Sequence, residues 1–364
     1  MILSNTSMNN IIKNIEHKTF ICFGAGNQLL SACNDYADIG LFDKIDYIID
    51  NDSNKKTFYY NNKVKAVNTI DECLIYAINE IVILVTVLDC IDIIMQLNSY
   101  TELDKCVCYI YSFVLNYVEA YQLPIRTKSD IQRIPKTIHY CWFGGNTMPD
   151  SYQANIESWK KYCPDYNIIQ WNESNYDITK NRYMLDAYKQ HKWGFVSDFA
   201  RLDIIFNHGG IYFDTDVEII TNIDYFLYDE AFCGFGSRSF VNNGSGFGAI
   251  AGFHLLAEQI DIYKKTNFIS TGGSMNIKTG PLYQTEYLAT KKLILNDTLQ
   301  NIEGMVIYPS DVFSPLKLNT GLLDITENTY AIHHFSGSWL DDTHKDTYAS
   351  YIEKFNVIKK LIYG

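Results

Sequence analysis

Gly209-Gly210-Ile211-Tyr212-Phe213-Asp214-Thr215-Asp216-Val217 is the stretch on which the reading of this chain turns. The glycine pair permits a sharp or closely approached backbone. Ile211, Tyr212 and Phe213 form an apolar lead-in that reads as a buried strand. If the strand runs on, Asp214 and Asp216 point to one face and Thr215 points away. Two carboxylates held that close repel each other, which favours protonation of one of them. A divalent cation removes that cost. Hard oxygen ligands suit Mg²⁺ or Mn²⁺, which keep coordination positions open for phosphate oxygens.

Immediately upstream, Trp193 to Phe206 has apolar residues at helical spacing, with Ser197 placed as an N-cap. Asp198 and Arg201 are then i and i+3, on one helix face. Further back, Ile134-Pro135-Lys136-Thr137-Ile138-His139-Tyr140-Cys141-Trp142-Phe143-Gly144-Gly145 reads as a strand ending in Trp-x-Gly-Gly. Towards the end stands His333-His334-Phe335-Ser336-Gly337-Ser338-Trp339.

The first third has a different texture. Residues 1–15 are polar and read as loose. Thr19 to Leu30 reads as a strand, a Gly24-Ala25-Gly26 turn and a helix, and Ile45 to Asp52 as a second strand ending in acidic residues. Val64–Val67, Ile81–Thr86 and Cys106–Ile110 are further strand candidates. Strands alternating with helical stretches imply a parallel α/β sheet. Gly24 and Gly26 after a strand, with Asp50 downstream, approximate a dinucleotide fingerprint, although Leu29 stands where the third glycine would be. Such a turn offers N–H groups to an anion at a helix start. The domains read as a Rossmann-like domain over 1–120, a polar linker over 121–133 broken by Pro124, and a second domain over 134–364.

Composition narrows the function classes. The 364 residues carry a net charge of −12 without a long basic run, which argues against nucleic-acid binding. Nine scattered cysteines without a C-x-x-C pair fit reduced thiols in a cytosol. The N-terminus lacks the basic and apolar regions of a secretory signal. The most apolar run, Ile81 to Met95, is interrupted by Asp89 and Asp92 and is too short to span a bilayer.

Taken in order and spacing, Trp142-x-Gly-Gly, Ser197 to Arg201, Gly209 to Asp216 and His333 to Trp339 resemble the Asp-x-Asp sugar transferases of glycosyltransferase family 32. The segment is also similar to the glucosylating domains of large clostridial toxins. The resemblance covers about 134–340. It implies a GT-A-type α/β fold and transfer, with retention, of a hexose from a nucleotide sugar, most simply a UDP-sugar, aided by Mn²⁺ or Mg²⁺. Trp142 would stack on the donor base. Asp198 and Arg201 would hold the sugar hydroxyls, with Arg201 near the diphosphate. Tyr212 would line the donor site, Asp214 would meet ribose and metal-bound water, and Asp216 would ligate the metal. His334 would complete the metal site, with His333 the adjacent alternative. Ser338 and Trp339 would close over the diphosphate. Thr279-Gly280-Pro281 would form a turn near the donor, and Asn242-Asn243-Gly244 would line the site. A saccharide or lipid-linked acceptor in bacterial surface polysaccharide synthesis is implied, in the cytoplasm with peripheral contact at the inner membrane face. The competing readings are an NAD(P)- or nucleotide-sugar-dependent oxidoreductase or modifier run by the first domain, and a non-catalytic sugar-nucleotide binder.

Overall fold

The computed structural model describes residues 1–76, 80–117, 120–127, 131–237, 240–317, 321–337, 360 and 362. These fall into two compact units, one formed by Met1–Ala120 with residues 321, 322, 360 and 362, the other within Tyr121–Leu318 and Leu323–Lys345.

In the first unit, β1 (Ile2–Ser4), β2 (Thr19–Phe23), β3 (Tyr47–Ile49), β4 (Thr57–Tyr60), β5 (Lys63–Asn68), β6 (Ile81–Val85) and β7 (Val107–Ile110) form a sheet ordered β1-β7-β6-β2-β3-β5-β4. Every pair is parallel except β4 with β5. The central strands are apolar on both faces because both faces are covered. Phe20, Cys22, Val82 and Leu84 enter one core, and the alternate residues Ile21, Phe23, Ile83 and Val85 enter the other. Residues 1–15 are ordered, contrary to expectation. β1 extends the sheet, and Ser7 caps the helix Met8–Asn14, accepting a bond from the Asn10 N–H at 3.3 Å. Met8 and Ile11 are fully buried there; two apolar anchors in a polar stretch suffice to dock one short helix.

In the second unit, β8 (Thr137–Cys141), β9 (Asn167–Trp171), β10 (Gly210–Tyr212), β12 (Ala231–Ser237), β13 (Phe240–Ala249), β14 (Gln300–Ile302) and β15 (Met305–Tyr308) form a mixed sheet ordered β14-β15-β12-β13-β10-β8-β9. The short β11 (Val217–Ile219) leaves that sheet and pairs antiparallel with the strand Ala331–His333. Alternation again separates two cores. Cys141, Tyr212 and Phe247 face the helix Trp193–His208, and Ile138, Tyr140, Ile211 and Phe213 face the helix Asp150–Tyr162. Within the stretch expected as a linker, 121–133, the described residues 121–127 and 131–133 lie in this unit. Tyr121 donates to Asp311 at 2.8 Å, and Arg126 pairs with Asp229 at 2.7 Å while donating to the Tyr225 carbonyl.

Below the glycine pair, buried His139 makes two defined bonds. Its Nε2 lies 3.0 Å from the Gly209 carbonyl, and its Nδ1 accepts from Trp171 Nε1–H at 3.0 Å. The neutral ring with its proton on Nε2 satisfies both partners. Burial holds its pKa down at about 4. Among the described residues, no helix is long and apolar enough to cross a membrane.

Candidate functional site

The site forms where β10 ends. Gly209 and Gly210 take φ of 65° and 106°, which ends the Trp193–His208 helix and turns the chain directly into β10. The strand stops at Tyr212, so Asp214 and Asp216 do not lie on an extended strand as expected. Thr215 and Asp216 occupy a turn, closed by the Val217 N–H on the Asp214 carbonyl at 3.1 Å. The carboxylates still converge, because the turn is clamped from both sides. The Asp214 N–H donates to the Gly244 carbonyl, Asn155 donates to the Thr215 carbonyl at 2.9 Å, and Trp159 Nε1–H donates to the Val217 carbonyl at 2.8 Å.

The Trp193–His208 helix begins four residues before Ser197. Ser197 is therefore not its cap and instead donates back to the Trp193 carbonyl at 3.2 Å. Asp198 and Arg201 do share a face, but that face is buried rather than solvated: they are 6% and 4% exposed, with Arg201 Nη2 3.2 Å from Asp198 Oδ1. Arg201 also forks onto Asp214, Nη1 to Oδ2 at 3.3 Å and Nη2 to Oδ1 at 3.2 Å, and reaches Asn243 Oδ1 and the Ser197 carbonyl. The donors of the guanidinium are all directed at protein acceptors. Arg201 thus stands as a buried counter-charge between Asp198 and Asp214. Tyr212 lies beneath the guanidinium, its ring centroid 5.0 Å away, and donates to Asp214 Oδ1 at 3.0 Å. Asp198 accepts the Gly280 N–H at 2.8 Å; burial nevertheless pushes its pKa up to about 6, against the pull of Arg201 and that N–H.

The expected choice between the two histidines is reversed. The register of the strand Ala331–His333 places His333 opposite Val217, and its Nε2 comes 3.1 Å from Asp216 Oδ1. His334 donates its backbone N–H to the Asp216 carbonyl but turns its ring outward to Glu218 Oε2 at 3.1 Å. Neighbours on an extended chain face opposite ways, and only one can enter the site. Burial pushes the Asp216 carboxyl up, but the His333 ring and the Ser336 N–H pull harder and hold it below the ordinary carboxylate range.

Asp214, Asp216 and His333 bring one ligand atom each to within 4.8 Å of one another. Two carboxylates and an imidazole fit a divalent cation of the Mg²⁺ or Mn²⁺ kind by donor chemistry. Room for the arrangement depends on Gly244, where an added Cβ would collide with Asp214 Oδ2.

Trp142 lies half-buried at the end of β8, its Nε1–H on the Asn146 carbonyl at 2.7 Å and its ring edge-on to Tyr152. It lines a groove of about 360 Å³ with Tyr140, Asn146, Gln153, Ile156 and Gln170. Ser338 and Trp339 lie outside the described residues. In the first unit, the Gly24–Gly26 turn reaches Asp50 through the Ala25 N–H, but Asp50 is already engaged. It accepts the Ala25 N–H at 2.7 Å and the Asp52 N–H at 2.9 Å, and pairs with Lys55 at 2.8 Å. The Gly280 and Ser336 amides were not foreseen as contacts of Asp198 and Asp216, because backbone donors carry no residue-type signal.

The family described as glycosyltransferase sugar-binding region containing DXD motif matches residues 149–233. Inositol phosphoceramide mannosyltransferase 3 of Schizosaccharomyces pombe is 29% identical over 119 residues, 31% of this chain and 33% of that protein. The chain thus spans about a third of the length of that curated relative. Among solved structures, PaToxG glycosyltransferase aligns at 17% identity over 44% of this chain and 69% of that one, with a TM-score of 0.37. A glycosyltransferase involved in glycosylation of the major capsid of PBCV-1 aligns at 12% identity over 60% and 98%, with a TM-score of 0.33. Asp198, Arg201, Asp214 and Asp216 all fall inside the segment that matches this glycosyltransferase sugar-binding family, Asp214-Thr215-Asp216 being its Asp-x-Asp motif.

Proposed function

We propose that the protein is a metal-dependent, retaining glycosyltransferase of the family 32 type. In this reading it moves a hexose from a nucleotide sugar, UDP-linked by preference, to a saccharide or lipid-linked acceptor in bacterial surface polysaccharide synthesis. A Rossmann-like domain over 1–120 precedes a GT-A-type domain over 134–364, and the protein works in the cytoplasm at the inner membrane face. The observation that carries the reading is the buried Asp198–Arg201–Asp214 chain of ion pairs set beside Asp216 and His333. A scaffold that only bound sugars would have no use for two carboxylates converged beside an imidazole at this cost in repulsion.

Asp214 and Asp216 would hold Mn²⁺ or Mg²⁺, with His333, rather than the expected His334, beside them against Asp216. The ion supplies Lewis-acid stabilisation of the negative charge on a departing nucleoside diphosphate. Arg201 keeps Asp214 aimed, which costs no reorganisation during reaction. Asp198, held by the Gly280 N–H, presents a rigid acceptor to a sugar hydroxyl. Trp142 offers a ring at a strand's carboxyl end, where ligands of open α/β sheets bind. The acceptor attacks from the face of departure, with the leaving phosphate as the proton acceptor.

Incubation with Mn²⁺ and a panel of UDP- and GDP-sugars should release nucleoside diphosphate with at least one donor. A folded protein that releases none with any donor would refute the reading.

A further inference from the structure

Asn242 is 4% exposed and lies on β13, where neither the metal chemistry nor the sugar chemistry has yet given it work. Its side-chain carbonyl accepts the Gly244 backbone N–H at 2.9 Å. A backbone N–H can only donate, so this bond fixes which end of the amide is oxygen. The NH₂ end therefore faces His333 Nδ1, 3.2 Å away. An amide NH₂ can only donate, so Nδ1 must carry the lone pair and the ring proton must sit on Nε2. Nε2 is the atom 3.1 Å from Asp216 Oδ1. The chain Gly244 N–H, Asn242, His333, Asp216 thus runs in one direction, every donor meeting an acceptor.

We propose that Asn242 is a positioning residue that sets the tautomer of His333, so that the imidazole donates to Asp216 and orients it instead of ligating the metal. The proposal rests on the reading of Asp214 and Asp216 as the metal carboxylates. Ligation through Nε2 would need the proton on Nδ1, and there it would oppose the Asn242 NH₂. The usual arrangement for a metal-bound histidine puts a carboxylate, carbonyl or water behind the ring to accept that proton. A primary amide held by its oxygen does the reverse. Asn242→Asp would supply the missing acceptor while still accepting the Gly244 N–H, so this one-atom change should convert His333 from an orienting donor into a ligand.

Two readouts test this without turnover. In protein labelled with ¹⁵N-histidine and free of metal, the His333 ring, identified by its loss in His333→Gln, should show the Nε2–H tautomer. In Asn242→Asp it should show Nδ1–H. With Mn²⁺ added, pulsed EPR should find no directly bonded His333 nitrogen in the wild type and should find one in Asn242→Asp. Asn242→Ala should weaken Mn²⁺ binding about 10-fold, the size expected for losing an outer-shell partner. A wild-type Nδ1–H ring, or a directly bonded nitrogen coupling that disappears in His333→Gln, overturns the proposal. If no Mn²⁺ binds, the metal reading falls, and the metal-free spectrum alone still decides whether Asn242 sets the tautomer.

Discussion

The two units each place acidic side chains at the carboxyl end of a strand beside glycines, and they treat those side chains differently. In the first, Asp50 is engaged by backbone and a lysine, accepting the Asp52 N–H of its own loop and the Ala25 N–H of the neighbouring glycine turn and pairing with Lys55. Its charge stabilises the turn. In the second, Asp214 and Asp216 are held by side chains, Arg201 and Tyr212 on Asp214 and the distant His333 on Asp216, and their ligand atoms remain gathered in one place. A lone carboxylate engaged by backbone N–H groups and a lysine is a structural device. One held by side chains and left beside a second carboxylate is set up for a ligand.

The largest effect that would test this contrast is at Arg201. Arg201→Met leaves Asp198 buried without its cation, and breaking a buried pair in this way costs about 3–5 kcal/mol. Urea unfolding should show that loss, and a variant as stable as the wild type would mean the ion-pair chain does not hold the site together.

Acid should probe the floor of the same unit. His139 is neutral in the fold with a pKa of about 4, below the ordinary histidine value. Its contribution is therefore fully present above about pH 6.5, declines as the pH falls towards 4 and is level below that. A shift of this size amounts to about 3 kcal/mol. His139→Gln should flatten that part of the stability–pH curve, and an unchanged slope would assign the acid loss elsewhere.

Next, Asp214→Ala and Asp216→Ala should each lower turnover about 100-fold or more, the scale of losing an electrostatic stabiliser. Chelation of divalent ions should do the same to the wild type. Nucleoside diphosphate release at saturating donor measures both, and wild-type rates after either treatment would remove the carboxylates from the chemistry. The smallest effect is expected in the first unit. Asp50→Ala should cost about 1 kcal/mol of stability through its lost hydrogen bonds and leave turnover unchanged. A large fall in turnover with the fold intact would erase the contrast between the units.

Much of this could be read locally. β2 and β6 stand out as apolar runs, and their strand–turn–helix grammar marks the first sheet. Asp198 and Arg201 are paired by helical spacing, and Asp214 and Asp216 stand two positions apart along the chain. The misreadings also share a cause. Ser197 resembled a cap because a hydroxyl precedes apolar residues, yet the helix had already begun at Trp193, where packing rather than capping starts it. The buried state of the Asp198–Arg201 pair was invisible because spacing shows which face two residues share and not what covers it.

By itself the sequence determined the local geometry: which residues stand one helical turn apart, where glycines allow the chain to turn, and that two acidic groups would be close. The tertiary structure decided which histidine joins them, that Arg201 faces inward onto protein acceptors, and that Asn242 lies behind His333. Those contacts span 117 residues between His333 and Asp216 and 91 between Asn242 and His333. They are set by strand register and by matching donors to acceptors, and neither leaves a periodic trace along the chain.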